Sequence, residues 1–588
     1  DAEHLYALVR AHPENARVRR LALSAALLRK GRSVEEISDT SRIVSRSLGQ
    51  ADREAFEHLR ALRTQLATLS FDGRGPLAPA DYQQRLADLS ARSDALEADL
   101  ARRSAPLRAF TALPSPADMV DRVAAVLPRD GALIELVAYA STRVFTAHAP
   151  RRSSRHLRYL ALVLFPEGHT RAVDLGPAAP IDAAASHLRD ALSNRDAGYR
   201  AAAHQLYRLA FRPLLPLLGG VRRLLLAPDG QLSLVPFQAL HDGRRFLVDA
   251  FDFSYVTSGK ELLPRPEDVP PARAMVVLAD PDFGTPPAHL ASAGGAPRRT
   301  ERSSAVERFF LTQRAGAAAP SWVPLPGTRQ EAEALQRLFP QARLFLGPDA
   351  SKERLLGLET PGILHIATHG FFLEDASPFP GTRTVAPSGP LAGDKLARRS
   401  PDPLLRSGLV LAGALAPAAN ASEAPTRRLE DSLVTALELA GLDLWGTELV
   451  VLSACDTGRG DVKLGQGVYG LRRALVVAGA ETLVMSLWKV NDETTRTLME
   501  SYYRNLLAGQ GRATALRDAM LALRQTRPHP HFWAPFITLG RDGPLQGFAP
   551  LALAARTSRR GETVSGGFRP MSPESARLRR LRHEPAAR

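Results

Sequence analysis

Between residues 205 and 545 the chain carries six short, almost wholly apolar runs: "VRRLLLAP", "AMVVLADP", "ARLFLG", "GILHIATHG", "TELVVLSAC" and "ETLVMSLW". A strand with one face in water alternates apolar and polar residues. A run that is apolar throughout must be covered on both faces, which is the condition of a parallel sheet wrapped by helices. Helical patterns fall between the runs, among them "TRQEAEALQRLF", "DSLVTALELAGL" and "GVYGLRRALVVAG". The expected fold class is therefore α/β, with a mostly parallel sheet and helices on both faces.

The chain's 588 residues suggest about three or four structural units. Residues 1–110 read as an α-helical module. "HLYALVRAHPENARVRRLALSAALLRKG" spaces its apolar residues three and four apart, with "HPEN" as the turn between two helices. That pattern resembles the end of a tetratricopeptide (TPR) array, although no second copy is evident at a period near 34. "DREAFEHLRALRTQLATL" and "ADYQQRLADLSARSDALEADLARRS" then suggest an antiparallel helical hairpin. Such a module either docks a partner or fills space. Residues 111–204 form an α/β accessory region: "GALIELVAYA" as a strand, a hairpin around Pro166–Glu167–Gly168, and a helix capped by Asp182. Residues 205–545 hold the repeated strand–helix pattern, and 546–588 read as a basic disordered tail.

Composition narrows the function classes. One cysteine excludes an internal disulfide and any multi-thiolate metal site. A reducing, cytoplasmic compartment follows naturally. The opening stretch lacks the apolar core of a secretory signal. It starts at Asp1 rather than Met, so the chain reads as a fragment or a processed product. No apolar run is long enough to span a bilayer, since "ALVVAGAETLVMSLW" is interrupted by Glu481. The formal net charge is +15, but residues 551–588 alone carry nine Arg against three Glu. The remaining charge is spread over amphipathic helices, as on a solvated surface, and no nucleic-acid-binding motif accompanies it. Direct nucleic-acid binding is not expected. The abundance of Ala, Arg, Leu and Pro suits a high-GC bacterial genome.

Two strand ends carry reactive side chains. The strand Ile363–Thr368 ends on His369, followed by Gly370, where the chain must turn and a bare N–H can approach a ligand. The strand Leu449–Ala454 ends on Cys455, with Gly458 three residues on. In open parallel sheets, ligands bind beyond the carboxyl ends of the strands. If the two strands are neighbours, a thiol and an imidazole meet at one rim, the arrangement of a Cys–His dyad. The alternative is that Cys455 is a small core residue and His369 an incidental one. His365, four residues before His369, reads as a packed or hydrogen-bonded strand residue. A zinc site from His365, His369 and Cys455 would lack a fourth ligand, so no metal is expected.

These residues carry a family resemblance. The stretch "LHIATHGFF … SGLVLAGA … ELVVLSACDTGRGDVKLGQGVYGLRRALVVAGAETLVMSLWKVNDETT … ALRDAMLALR … HPHFWAPFITLG" resembles the CHAT domain, as do "RLLLAPDGQLSLVPFQAL" and "LPGTRQEAEAL". CHAT domains are caspase- and separase-like (clan CD) units often found behind TPR arrays. The resemblance implies a caspase-like sheet and a cysteine endopeptidase. Cys455 would be the nucleophile and His369 the proton donor to the leaving amine. The N–H groups of Gly370 and Cys455 would form the oxyanion hole. No cofactor is implied. A helix after the 456–467 loop would favour the thiolate through its N-terminal dipole.

Specificity is expected from acidic side chains. "SLWKVND" resembles a separase segment, and separases cleave after arginine. By that likeness Asp492 lines the pocket for the residue before the cut, unless it serves only to start a helix. Asp456 is a second acidic candidate, and Trp488 either walls the pocket or packs. The partners expected are a protein substrate and a regulatory protein bound through the N-terminal helices. The insertions 285–320 and 374–403 are long enough to be functional or disordered. The second could cover the cleft or be cut at Arg383, Arg398 or Arg399. The rival to a peptidase is a TPR–CHAT scaffold that acts by binding alone.

Overall fold

The computed structural model describes residues 2–30, scattered positions between 54 and 69, and residues 78–103, 116–140, 157–263, 271–284, 322–372, 407–414, 432–453, 464–488 and 490–548. Cys455, Asp456, the insertions 285–320 and 374–403 and the tail from 549 lie outside the described residues.

The chain opens with helices α1 (Ala2–Ala11) and α2 (Ala16–Arg29). The turn between them is the expected "HPEN", and Asn15 caps α2 by accepting from the N–H groups of Arg17 and Val18. Helix α3 (Pro79–Arg103) and helix α4 (Pro116–Val126) follow. The accessory strands are β1 (Gly131–Ala140), β2 (Leu157–Leu164) and β3 (Thr170–Pro177). Strands β2 and β3 form the expected hairpin, with Gly168 at φ +81° in its turn.

Helix α5 (Ala178–Ser193) starts four residues earlier than the cap position expected for Asp182. Asp182 instead accepts a hydrogen bond from the Tyr159 hydroxyl at 2.7 Å, so its side chain serves the sheet–helix interface. Helix α6 (Tyr199–Leu206) leads to β4 (Arg223–Ala227) and β5 (Asp252–Tyr255). Then come β6 (Met275–Pro281), helix α7 (Pro326–Leu338), β7 (Arg343–Gly347), β8 (Ile363–Ala367) and β9 (His369–Phe372). The last group is β10 (Ser407–Val410), β11 (Leu433–Thr435), β12 (Leu449–Leu452), helix α8 (Leu464–Ala478), β13 (Thr482–Ser486), helix α9 (Asp492–Leu507), helix α10 (Arg512–Thr526) and β14 (Phe536–Gly540).

One sheet runs in the order β3-β2-β1-β4-β5-β14-β13-β12-β8-β6-β7. Only the pairs β3–β2, β2–β1 and β14–β13 are antiparallel. The accessory strands thus belong to the same sheet as the later ones. Alternate residues of β1 enter different cores. Ala132, Ile134 and Leu136 pack with α5 and α6, whereas Leu133, Val137 and Tyr139 pack with α1, α2 and α4. Period-two alternation between two apolar surfaces is why the sequence reads as unbroken hydrophobicity.

Helices α1 and α2 are tied to the sheet by charge as well. Lys30 Nζ lies 3.0 Å from the Glu135 carboxylate on β1, and it also donates to the carbonyls of Leu136 and Ala227. Burial pushes the Glu135 carboxyl up, and Lys30 opposes that shift.

The expected helix "DSLVTALELAGL" is shortened. Leu433–Thr435 form β11, which pairs with β10 in a separate three-stranded sheet, β11-β10-β9. The β-branched Val434 and Thr435 favour that pairing. Helix resumes at Ala436 behind a capping box made by Thr435 and Glu438.

Candidate functional site

The two strands singled out by sequence are neighbours. β8 and β12 pair in parallel, with Leu449 opposite Ile363, Val451 opposite His365 and Leu452 opposite Ile366. Beyond the paired residues, the Ser453 N–H donates to the Ile366 carbonyl at 2.8 Å. The chain therefore reaches Ser453 at the carboxyl rim beside β8, and Cys455 follows two residues later, outside the described residues. Helix α8 begins at Leu464, nine residues after Cys455.

His369 leaves β8 and enters β9, where it lies opposite Val410. Its ring is buried between Phe283, with centroids 5.3 Å apart, and Trp322 at 5.6 Å. Its Nε2 is 2.8 Å from the Val323 carbonyl oxygen. A carbonyl can only accept, so Nε2–H is the donor in this contact. The two rings and the carbonyl thus fix the plane of the imidazole. Val323 acts through its main chain while its side chain is 56% exposed, so no side-chain pattern could have revealed it.

Gly370 does not sit in a sharp turn. It is extended within β9, opposite Leu409. An added Cβ would meet nothing closer than the Gly408 carbonyl, at 3.7 Å. Among the described residues, close packing therefore does not by itself require glycine here.

Beneath the rim, His365 is fully buried. One ring nitrogen, Nδ1, is 3.1 Å from the Tyr503 hydroxyl on α9. The other, Nε2, is 3.1 Å from Glu331 Oε1 on α7, an ion-pair distance without hydrogen-bond alignment. Both nitrogens face protein groups, which leaves neither directed at a metal. Among the described residues no cluster of three or more His, Asp or Glu side chains could hold an ion. The expectation that His365 is a packed, hydrogen-bonded strand residue matches this geometry. Burial raises the Tyr503 phenol well above its ordinary range, so it remains protonated.

Asp492 is the first residue of α9, behind its N-cap Asn491, which accepts from the Thr494 N–H at 3.2 Å. Its half-buried side chain lies against Gly327 in the first turn of α7, where an added Cβ would fall 2.5 Å from its Oδ2. Helix α7 has no side-chain cap of its own, so this carboxylate complements its N-terminal dipole. Gly327 is also only four residues from Val323. A single segment, 322–328, therefore runs from the catalytic-candidate histidine to the specificity-candidate aspartate. Thr328 anchors that segment by accepting from the N–H of Asp280, a residue held at φ +49°.

Trp488 is 2% exposed. Its indole N–H donates to the His531 carbonyl at 3.1 Å, and its ring stacks on the His531 ring. Its observed contacts are those of a packed residue.

The architecture is a mostly parallel α/β sheet with His369 at the carboxyl rim of β8, beside the strand β12 that leads towards Cys455. The CHAT domain profile matches residues 200–541, more than half of the sequence, and the chain belongs to the CHAT domain family. Mouse tetratricopeptide repeat protein 28 is 27% identical over 329 residues, and the human protein is 26% identical over the same length. Each match covers 55% of this chain but only 12% of the relative, so the chain spans about an eighth of these curated relatives. Among solved structures, separase in the Saccharomyces cerevisiae separase–securin complex aligns with a TM-score of 0.34 at 9% identity, over 73% of this chain and 31% of that one. Among the described residues, no helix is long and apolar enough to cross a membrane.

Proposed function

We propose that the chain is a cysteine endopeptidase in which Cys455 and His369 form the dyad. The carrying observation is the parallel pairing of β8 with β12, which delivers His369 and Ser453 to one rim. Two further residues extend at most about 7 Å, so Cys455 remains within a short reach of that rim. The Val323 carbonyl orients the ring through Nε2, and the imidazole takes the proton of the thiol.

The thiolate attacks the carbonyl carbon of the scissile peptide, and the oxyanion is held by the N–H groups of Gly370 and Cys455. The imidazolium gives its proton to the departing amine nitrogen. Water then attacks the thioester, which releases the carboxylate and restores the thiol. The carboxylates of Asp492 and Asp456 select a basic residue before the cut. Support for Asp492 is its contact with Gly327, on the segment 322–328 that also meets His369 through the Val323 carbonyl.

The substrate is a protein, and the setting is cytoplasmic and bacterial. Residues 1–110, 111–204, 205–545 and 546–588 are the working divisions. The N-terminal helices regulate the peptidase by binding a partner, and the Lys30–Glu135 pair supplies a mechanical connection from α2 to the sheet.

The test is hydrolysis of a peptide library that carries a fluorogenic amide after each of the common residues. Release after arginine and lysine, lost in Cys455→Ala and in His369→Ala, is the expected result. No release from any peptide, together with full cellular activity of Cys455→Ala, would instead identify a scaffold.

A further inference from the structure

Four elements meet at one buried carboxylate. Glu331, in the second turn of α7, is 2% exposed. Its Oε1 faces His365 on β8 at 3.1 Å, and its Oε2 accepts from the Ser453 hydroxyl, just past β12, at 3.4 Å. Tyr503 of α9 closes the far side of the His365 ring. His365 and Ser453 lie on the same face of the sheet. Val451 is opposite His365 in the parallel register, and Ser453 is two residues from Val451.

His365 precedes His369 by four residues, and Ser453 precedes Cys455 by two. We propose that Glu331 is a positioning residue: one carboxylate fixes the two strand ends that carry His369 and Cys455 relative to each other. The inference rests on the peptidase reading of those two residues.

The physical reason is the stiffness of a buried polar contact. A carboxylate shielded from water cannot exchange its partners for solvent without a large penalty. The ends of β8 and β12 are therefore held to α7 and cannot slide independently. The same part of the chain approaches the site twice more, through the Val323 carbonyl just before α7 on His369 and through Gly327 in its first turn on Asp492. Segment 322–331 thus touches the imidazole, the strand ends and the acidic corner. In "TRQEAEALQRLF", Glu331 reads as one more solvated charge on an amphipathic helix, and only the fold turns it inward.

Cys455 is the only thiol in the chain, so its alkylation by iodoacetamide can be followed by mass spectrometry of the intact protein without any substrate. The rate is measured against pH in the full-length wild type, His369→Ala, Glu331→Gln and Ser453→Ala, with thermal unfolding in parallel. A thiol paired with His369 reacts with a midpoint below the ~8.5 of a free cysteine, and His369→Ala returns it there. Glu331→Gln, matched in volume, is expected to move the midpoint towards that of His369→Ala and to slow alkylation at pH 6.5 about tenfold. Ser453→Ala is expected to shift it in the same direction by less.

Wild-type midpoints in both Glu331→Gln and Ser453→Ala, with only the unfolding temperature changed, would reduce Glu331 to a structural role while the dyad stands. Should Glu331→Gln not fold, an unshifted Ser453→Ala overturns the proposal by itself. A wild-type profile of an ordinary thiol, unaffected by His369→Ala, would remove the peptidase reading and this proposal together.

Discussion

The two ends of strands β12 and β13 handle buried charge differently. At the amino ends, Glu448 and Glu481 immediately precede the strands and share the guanidinium of Arg512 at 3.3 and 3.2 Å. Arg541 adds a second guanidinium to Glu481 at 3.3 Å. Arg512 also donates to Thr482, and Glu448 accepts the N–H groups of Gln546 and Gly547. Two cations face two anions, and the chain passes directly from this network into the strands.

At the carboxyl ends, one carboxylate, Glu331, is shared by an imidazole and a hydroxyl, and the imidazole contact is close but not aligned. His369 meets the main-chain carbonyl of Val323 through Nε2. A balanced network fixes a structure. The carboxyl end is fixed more economically, by a single buried anion with an imidazole and a hydroxyl as its partners.

The largest effect that separates the ends is stability. Arg512→Ala leaves the Glu448 carboxylate buried without its cation and is expected to cost about 3–5 kcal/mol, read by chemical denaturation. Folded Arg512→Ala should keep the wild-type pH profile of Cys455 alkylation. If that profile moved as far as in Glu331→Gln, the two ends would be one coupled network and the contrast would fail.

Next in size is specificity. Asp492→Asn retains the shape of the first turn of α9 but removes its charge. A charge-assisted hydrogen bond contributes about 1.5–3 kcal/mol. The kcat/KM for peptides with arginine before the cut should therefore fall about 10- to 100-fold, with little change for neutral residues. Equal losses for all peptides would assign Asp492 to helix α7 rather than to the substrate.

Gly327→Ala sharpens the same point without touching a charge. The new methyl group would displace the Asp492 carboxylate. A loss of about tenfold in arginine preference, near 1.4 kcal/mol, is expected from the same peptide comparison. An unchanged preference would show that the corner yields and that Asp492 does not need its observed position.

That β8 and β12 lie in a sheet covered on both faces was readable from their unbroken apolar runs; that they are neighbours was only a condition of that reading, and the register supplies it. His369 at a strand end, the "HPEN" turn, the hairpin at Gly168 and Asn491 as part of a helix start were legible for similarly local reasons. What supports the site was not. Val323 works through a backbone carbonyl, which any residue would supply. Glu331 sits on a helix whose pattern suggests an exposed charge, and its burial is decided by α9 and β8 packing over it. Asp182 looked like a cap because caps and hydroxyl acceptors use the same residue type; Tyr159 decided between them. Gly370 looked like a turn, whereas β9 pairs straight through it with β10, from a distant part of the chain.

The smallest effect concerns pH and belongs to the carboxyl end. His531 lies just before β14, which runs antiparallel to β13, so it sits on the same side as Trp488 and the rim. Its Nδ1 proton is donated to the Leu192 carbonyl at 2.9 Å. Burial is the main reason its basicity is lowered, and Arg195 and His529 add to that effect. The unfolded chain then binds a proton more readily than the native one, so stability rises with pH across the interval that ends near the ordinary ~6.5. The contribution is complete above that pH and is lost as pH falls below it, by up to about 1.4 kcal/mol per pH unit. Denaturation of His531→Gln at pH 7.5 and at pH 5.5 reads the effect: the variant should be less stable than wild type at pH 7.5, and the gap should narrow at pH 5.5. A gap that stays constant would mean that His531 does not titrate on unfolding, and the pH sensitivity of the rim would have to be sought elsewhere.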